Sequence, residues 1–305
     1  MSVHVISIDQ YFDKDLLAKL YKRANDFSKL PLADYPKPLQ HLTLATVFFE
    51  PSTRTRLSFE TAIQNLSGQL ITVENAGDFS SAKKGESLED TILTINAYAD
   101  GIVMRHPQIG AAKQAAKVSR VPIINAGDGG GEHPTQALLD LYSIQQCRGK
   151  IDGLSIGLVG DLLNGRTIHS LVQLLAQYHV TIYLIAPDSL QLPAKYLKLL
   201  KSNGATIHQV DNWDKALGKV DVLYMTRVQK ERFKFVEDYL AIKDSFILTP
   251  KQVAKMKKEA IILHPLPRVN EIDPAVDQDP RAKYFEQVKN GLYVRMALLE
   301  YLFKH

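Results

Sequence analysis

The feature that most limits how this chain can fold is an alternation repeated along nearly its whole length: a short apolar run, a turn, then an amphipathic stretch. Thr43 to Phe49 (TLATVFF) has the pattern of a buried strand. Leu57, Ala62, Ile63 and Leu66 then keep helical spacing up to Gly68, a C-terminal stop. Ser87-Leu88-Glu89-Asp90 has the form of a capping box and opens a helix running to Ala99, after which GIVMR is a strand ending at Arg105. Val121 to Ala126 is the next strand, and His133-Pro134-Thr135-Gln136 starts a long helix with Pro134 at the favoured first position. The pattern restarts at Leu154, where LSIGLVGD, VTIYLIAP, TIHQV, DVLYMT and AIILHP are strands separated by helical segments. Gly291 to Phe303 is again helical in pattern.

Strands that alternate with helices build parallel sheets covered on both faces, because each parallel connection needs a crossover of helix length. The expected class is therefore α/β, with two open parallel-sheet α/β domains. Their expected extents are 1-134 plus 288-305 for the first and 150-287 for the second, with 135-149 as a connecting helix; the alternation itself does not decide which domain the final helix packs against. Length agrees, since 305 residues exceed what a single core usually holds.

Composition removes several function classes. The only cysteine is Cys147, so neither an intramolecular disulfide nor a thiolate zinc cluster can form, and a reducing compartment is expected. The start, MSVHVISIDQYFDKD, lacks the charged-then-apolar pattern of a signal, and no run approaches the ~18 apolar residues of a membrane span. The expectation is a cytoplasmic protein. A net charge of +4, from 37 basic and 33 acidic residues, is too small to imply a nucleic-acid partner and is compatible with an anion pocket on a balanced surface.

Ligands of open α/β sheets bind beyond the carboxyl ends of the strands. Polar residues gather there repeatedly. Ser52-Thr53-Arg54-Thr55-Arg56 combines hydroxyls, backbone N–H groups and guanidinium groups at a helix start, which makes a phosphate site. The competing reading is a capped helix with a solvated basic first turn, although the helix dipole disfavours arginine there. Arg105-His106-Pro107 closes one strand, and a lone arginine at a strand end is more often a surface residue than a ligand. His133 and Gln136, behind the turn Gly127-Asp128-Gly129-Gly130-Gly131, can hydrogen-bond a carbonyl and an amide, or can simply open a helix. Ser80 with Lys83-Lys84-Gly85 is either a solvated loop or a mobile lid over an anion. Gly160-Asp161 with Arg166, Arg227-Val228-Gln229, and His264-Pro265-Leu266-Pro267-Arg268 follow three later strands, where turn residues are expected in any case. There is no nucleophile-elbow serine, zinc-ligand spacing, Walker loop or G-x-G-x-x-G fingerprint, so chemistry would rest on positioned cations and hydrogen-bond donors, with no metal or cofactor.

Phe49-Glu50-Pro51-Ser52-Thr53-Arg54-Thr55-Arg56 with Ser58-Phe59-Glu60 resembles the carbamoyl-phosphate motif of the aspartate and ornithine carbamoyltransferases. His133-Pro134-Thr135-Gln136 with Asp140, and Arg105-His106-Pro107, are similar to that family's other blocks, and the resemblance runs from about Ile8 to the C-terminus. Gly160-Asp161, Gly165-Arg166-Thr167, His169-Ser170, Arg227 to Arg232 and His264 to Arg268 resemble the aspartate branch. Ornithine enzymes carry cysteine at the position of Pro265, and a dicarboxylate suits Arg166, Arg227 and Lys84, which would repel ornithine's ammonium. Leu163-Asn164 stand where members often carry Lys-Tyr, a departure that leaves Arg166 in place.

The resemblance implies transfer of the carbamoyl group from carbamoyl phosphate to the amine of L-aspartate, an early step of pyrimidine biosynthesis. An ornithine-type or other transcarbamoylase is the alternative. By the same resemblance Ser52, Thr53, Arg54, Thr55 and Arg105 would bind phosphate. Thr55, Arg105 and His133 would polarise the carbamoyl oxygen, and Gln136 would meet the amide. Lys84, Arg166, Arg227 and Gln229 would bind aspartate, and the carbonyls of Pro265 and Leu266 would accept from the amine and the carbamoyl NH2. Ser80 and Lys84 would come from the neighbouring subunit of a homotrimer with shared active sites, to which regulatory chains could be added in a larger assembly. Glu50 would pair with Arg166 or Arg232 in domain closure.

Overall fold

The computed structural model describes residues 4–8, 12–79, 81–229, 233, 235–242 and 244–304. They form two compact units, Met1–Leu139 with Lys289–His305, and Asp140–Val288. Both are open parallel α/β sheets, as the alternation predicts.

The first unit contains β1 (Thr43–Phe48), β2 (Gln69–Glu74), β3 (Gly101–His106) and β4 (Ile123–Asp128), all parallel, in the order β2-β1-β3-β4. Its helices are α1 (Lys14–Lys29), α2 (Thr53–Asn65), the short α3 (Ala76–Phe79), α4 (Leu88–Ile95) and α5 (Ala111–Val118). Ala45, Val47, Ile102, Met104 and Ile123 of the sheet pack with Ile92 of α4 and Ala111, Ala112 and Ala115 of α5. Small alanines let α5 lie close on the sheet. Ser87 caps α4 by accepting from the Asp90 N–H at 3.1 Å, with Glu89 and Asp90 favourably placed at the positive end of the helix dipole. The helix stops at Ile95 rather than Ala99, because the chain tightens into three-residue turns, Ala97 N–H to Thr94 O and Tyr98 N–H to Ile95 O.

The strand β2 carries no clear mark in the sequence. Five of its six residues are exposed, so the contiguous apolar run that marks a doubly covered strand is missing, and only β-branched Ile71, Thr72 and Val73 signal it.

The helix α6 (Pro134–Arg148), with Pro134 as its first residue, carries the chain from the first unit to the second. There β5 (Ser155–Val159), β6 (Thr181–Ile185), β7 (Thr206–Val210), β8 (Val222–Met225) and β9 (Ile261–Leu263) form an all-parallel sheet in the order β7-β6-β5-β8-β9. The helices α7 (Arg166–Leu175), α8 (Ala194–Ser202), α9 (Val236–Ile242) and α10 (Pro250–Val253) connect these strands. The long α11 (Tyr284–Lys304) returns the chain to the first unit. Val159, Ile185, Leu223, Met225 and Ile262 pack with Trp213, Leu217, Val253 and Tyr284 in the second core. Among the described residues no helix is long and apolar enough to cross a membrane.

Both sheets reverse their winding once. In the first, the chain leaves β1 for β2 on one side and returns to β3 on the other; in the second, the same reversal separates β5 from β8. The crevice beyond the carboxyl ends of the two strands at such a switch point is where open α/β sheets bind ligands.

Candidate active site

At the switch point of the first unit, Arg105 lies on β3 in register with Phe48, and the Phe49 N–H donates to its carbonyl at 2.8 Å. This pairing sets the end of β1, and so Glu50 and Ser52, beside the Arg105 side chain. Ser52 occupies the N-cap position of α2, yet its hydroxyl makes no capping hydrogen bond; it accepts from Nη1 of Arg105 at 3.3 Å. The first backbone bond of the helix runs from Arg56 N–H to Ser52 O at 3.1 Å, so the amides of Thr53, Arg54 and Thr55 precede any intrahelical acceptor. No acidic residue occupies that first turn. The result is a helix start with open donors and two arginines.

The charges there are poorly compensated. Burial, then the like charge of Arg105, pulls the Arg54 guanidinium below the usual arginine range. Burial lowers that of Arg105 as well, against the opposing pull of Glu50, whose Oε2 lies 3.3 Å from Nε. Among the described residues no carboxylate forms an ion pair with Arg54. Both groups stay cationic, since arginine does not give up its proton in proteins. An anion placed between them would relieve burial and mutual repulsion together.

Thr55 and His133 close this group from behind: Thr55 Oγ1 is 3.4 Å from His133 Nε2, and both side chains are buried. His133 stands just before α6, and Gln136, also buried, lies in its first turn. The turn between β4 and α6 is tied to the end of β3 by the Gly129 N–H, which donates to His106 O at 2.8 Å. Gly129 has φ +49, and a Cβ there would lie 2.3 Å from Pro107 O, so this close approach requires glycine.

The second unit repeats the plan. Thr226, just after β8, donates its N–H and hydroxyl to Val159 O at 2.9 and 2.8 Å, which locks the ends of β8 and β5 together. Gly160 has φ +109, and a Cβ there would lie 2.3 Å from Thr226 O. In the following turn Asp161 accepts from the Asn164 backbone at 2.9 Å, and His169 Nε2 lies 3.0 Å from Leu162 O, to which it must donate. That turn delivers Arg166, half-buried, as the first residue of α7. Arg227 and Gln229 follow β8 and are half-buried, as are Pro265 and Leu266 beyond β9, where Leu266 has φ +54. Arginine at a helix start opposes the dipole, so Arg166 also favours an anionic ligand.

In the first unit contacts join Ser52 and Glu50 to Arg105 and Thr55 to His133; in the second, Arg166, Arg227, Gln229, Pro265 and Leu266 follow strands of one sheet. Glu50 pairs with Arg105, which was not one of its expected partners; Arg232, which was, lies outside the described residues, as does Ser80. Lys84 is exposed on the turn Ser81–Lys84, and among the described residues it makes no ion pair. Thr53 is exposed at the start of α2. Spacing alone could not have shown the buried partners of the β9 loop, His264 with Glu271 and Gln287.

Two doubly wound parallel sheets, each presenting arginines beyond its carboxyl ends, define a two-domain α/β enzyme for anionic substrates. The chain matches the aspartate/ornithine carbamoyltransferase family through two models, the carbamoyl-P binding domain over residues 3–146 and the Asp/Orn binding domain over residues 152–302. It is 48% identical over 301 residues to a chloroplastic aspartate carbamoyltransferase of Oryza sativa, covering 96% of this chain and 83% of that protein. It is 49% identical to part of the multifunctional protein pyr1-3 of Dictyostelium discoideum, covering 98% of this chain but only 13% of that one. The aspartate transcarbamoylase of Trypanosoma cruzi, solved with carbamoyl phosphate and aspartate, superposes with a TM-score of 0.93 at 38% identity, covering 98% of this chain and 96% of that one. The chain belongs to the aspartate/ornithine carbamoyltransferase family.

Proposed function

We propose that this chain is an aspartate carbamoyltransferase, moving the carbamoyl group of carbamoyl phosphate to the amine of L-aspartate and releasing phosphate. One observation carries the reading: the Ser52 hydroxyl turns from its helix to Arg105, leaving the first amides of α2 and Arg54, which has no carboxylate partner among the described residues, as a cationic cradle for a phosphate. Membership of the family and the likeness to a structure solved with both substrates support it.

In this reading Ser52, Thr53, Arg54, Thr55 and Arg105 hold the phosphate of carbamoyl phosphate. Thr55, Arg105 and His133 donate to the carbamoyl oxygen, and Gln136 meets the amide. Arg166, Arg227 and Gln229, with Lys84 of a neighbouring copy, hold the carboxylates of aspartate. The neutral amine attacks the carbamoyl carbon, a C–N bond forms, and the carbonyl oxygen takes the negative charge. The bond from that carbon to the phosphate oxygen then breaks, and the departing phosphate accepts the amine proton, so His133 acts as a neutral donor throughout. Positioned donors at a developing oxyanion are each worth ~10²–10³ in rate, and fixing two substrates in contact removes up to ~7–11 kcal/mol of the barrier. Carbonyl groups of Pro265 and Leu266 accept from the amine and the carbamoyl NH2.

The same reading makes the working form a homotrimer with shared sites, acting in the cytoplasm at an early step of pyrimidine synthesis. Leu57, Ile71 and Val73, apolar and exposed near or on the edge strand β2, suit burial against another copy. Mixing checks the shared site. Arg54→Ala and Lys84→Ala proteins, each nearly inactive alone, are expected to regain about a quarter of wild-type activity when unfolded and refolded together. A random mixture gives that share of sites one intact Arg54 and a neighbour's intact Lys84. No recovery, with trimers formed, would place Lys84 in its own chain's site.

Phosphate release from carbamoyl phosphate tests the activity itself. It is expected to depend on L-aspartate and to stay at the background rate with L-ornithine. Release driven by ornithine alone would replace this acceptor with the family's other one.

A further inference from the structure

We infer that His264 and Glu271, backed by Gln287, are positioning residues that set the direction of the Pro265 and Leu266 carbonyls. The inference rests on the reading above, in which those carbonyls receive the amine and the carbamoyl NH2.

The loop after β9 is held at both ends by one buried network. The Leu266 N–H donates to His264 Nδ1 at 2.8 Å. A backbone amide only donates, so Nδ1 is an acceptor and the ring proton sits on Nε2, 2.7 Å from Glu271 Oε1. The other carboxylate oxygen of Glu271 accepts from the Val269 N–H at 3.0 Å and the Asn270 N–H at 3.1 Å. Behind the ring, the His264 N–H donates to Gln287 Oε1 at 2.9 Å, and Gln287 Nε2 donates to Asp140 Oδ1 at 2.6 Å. Asp140 Oδ2 accepts from the Tyr224 hydroxyl at 2.6 Å. His264, Glu271, Gln287, Asp140 and Tyr224 are all buried, Glu271 at 4% exposure and Asp140 at 0%. Burial pushes the Glu271 carboxyl up, but bonds from His264 and the Val269 backbone outweigh it and hold the group below the ordinary carboxylate range.

Two physical facts turn this network into a device for aiming carbonyls. The Leu266 N–H and the Pro265 C=O belong to one planar trans peptide, in which they point in opposite directions. Fixing the N–H on the buried ring therefore turns the Pro265 carbonyl outward. Leu266 itself sits at φ +54, a left-handed conformation that an L-residue keeps only when its surroundings hold it there. The bonds from Val269 and Asn270 to Glu271 supply the second anchor, and the Leu266 carbonyl lies between the two. Nothing else is required of Glu271: it touches neither substrate in this reading and acts through His264 and the loop backbone.

A carboxylate is needed at 271, because three donors converge on it: the His264 ring N–H and two backbone amides. In Glu271→Gln the carboxamide sets its NH2 against the ring N–H in one orientation and against the backbone amides in the other. The test compares binding of inorganic phosphate and of carbamoyl phosphate, together with aspartate-dependent turnover, in wild type, Glu271→Gln and Glu271→Asp. Phosphate affinity, which depends on Ser52 to Arg105, is expected to stay within about twofold. Carbamoyl-phosphate affinity and kcat are expected to fall about tenfold in the glutamine variant, as a displaced catalytic contact does, and by less in the aspartate variant. If Glu271→Gln does not fold, as judged by lost phosphate binding and lost cooperative melting, Glu271→Asp decides in the same way. A folded variant with wild-type kcat and an unchanged ratio of the two affinities overturns the inference. So does an equal fall in both affinities, which would mark a purely structural role. Absence of aspartate-dependent turnover in the wild type would remove the reading and the inference together.

Discussion

Arg54→Ala is expected to lower kcat by ~10²–10³ without lowering the melting temperature. The two halves of that result have one cause. Arg54 is partly buried, repelled by Arg105, and has no carboxylate partner among the described residues, so the folded protein gains little from its charge. In the proposed function its charge is compensated when phosphate binds and, more so, as negative charge gathers on the departing phosphate. Removing it therefore removes stabilisation of the transition state and leaves folding untouched or slightly favoured. Steady-state rates at saturating substrates, with a melting curve for each protein, check both halves. A variant that loses stability and activity in proportion would mean that Arg54 is a structural cation.

Arg227→Ala carries the second large effect, on the other substrate. Hydrogen bonds to a charged group contribute ~1.5–3 kcal/mol, so kcat/KM for aspartate is expected to fall ~10- to 100-fold. Carbamoyl-phosphate affinity should be unchanged, since its proposed phosphate ligands lie at the start of α2 and on β3. Arg227→Lys should recover little of the loss, because an ammonium cannot match the forked geometry of a guanidinium on a carboxylate. Titration of aspartate at fixed carbamoyl phosphate separates these effects. A fall in carbamoyl-phosphate affinity of similar size would move Arg227 into the phosphate site.

Much of this fold can be read from one-dimensional pattern, and the reason is burial. Central strands such as Leu44 to Phe48 and Ile156 to Val159 are covered on both faces and so appear as nearly continuous apolar runs, broken in the first only by Thr46. The edge strand β2 is covered far less and has no such run; it became visible only through its pairing with β1, Thr43 to Gln69 through Phe48 to Glu74. The candidate anion-binding residues stood out because parallel sheets place such residues immediately after strands, where a short stretch of sequence holds the whole motif. What was not legible is pairing at long range. Nothing in the spacing of Ser52 and Arg105 says that the serine hydroxyl leaves its helix for a guanidinium 53 positions away. Likewise Glu50 lies against Arg105, and Glu271 and Gln287 earn their place at His264 only through the folded path of the chain.

Transfer of one carbon to one nitrogen is the core of the proposed reaction, and it is followed most directly with carbamoyl phosphate labelled with ¹³C at the carbamoyl carbon. Purified protein, L-aspartate and the labelled donor are observed by ¹³C NMR while phosphate is measured in parallel. The expected result is a single new ureido carbon signal, that of N-carbamoyl-L-aspartate, growing in equal amount with phosphate. Phosphate release with the label appearing as bicarbonate, and no carbamoyl-aspartate formed, would contradict it.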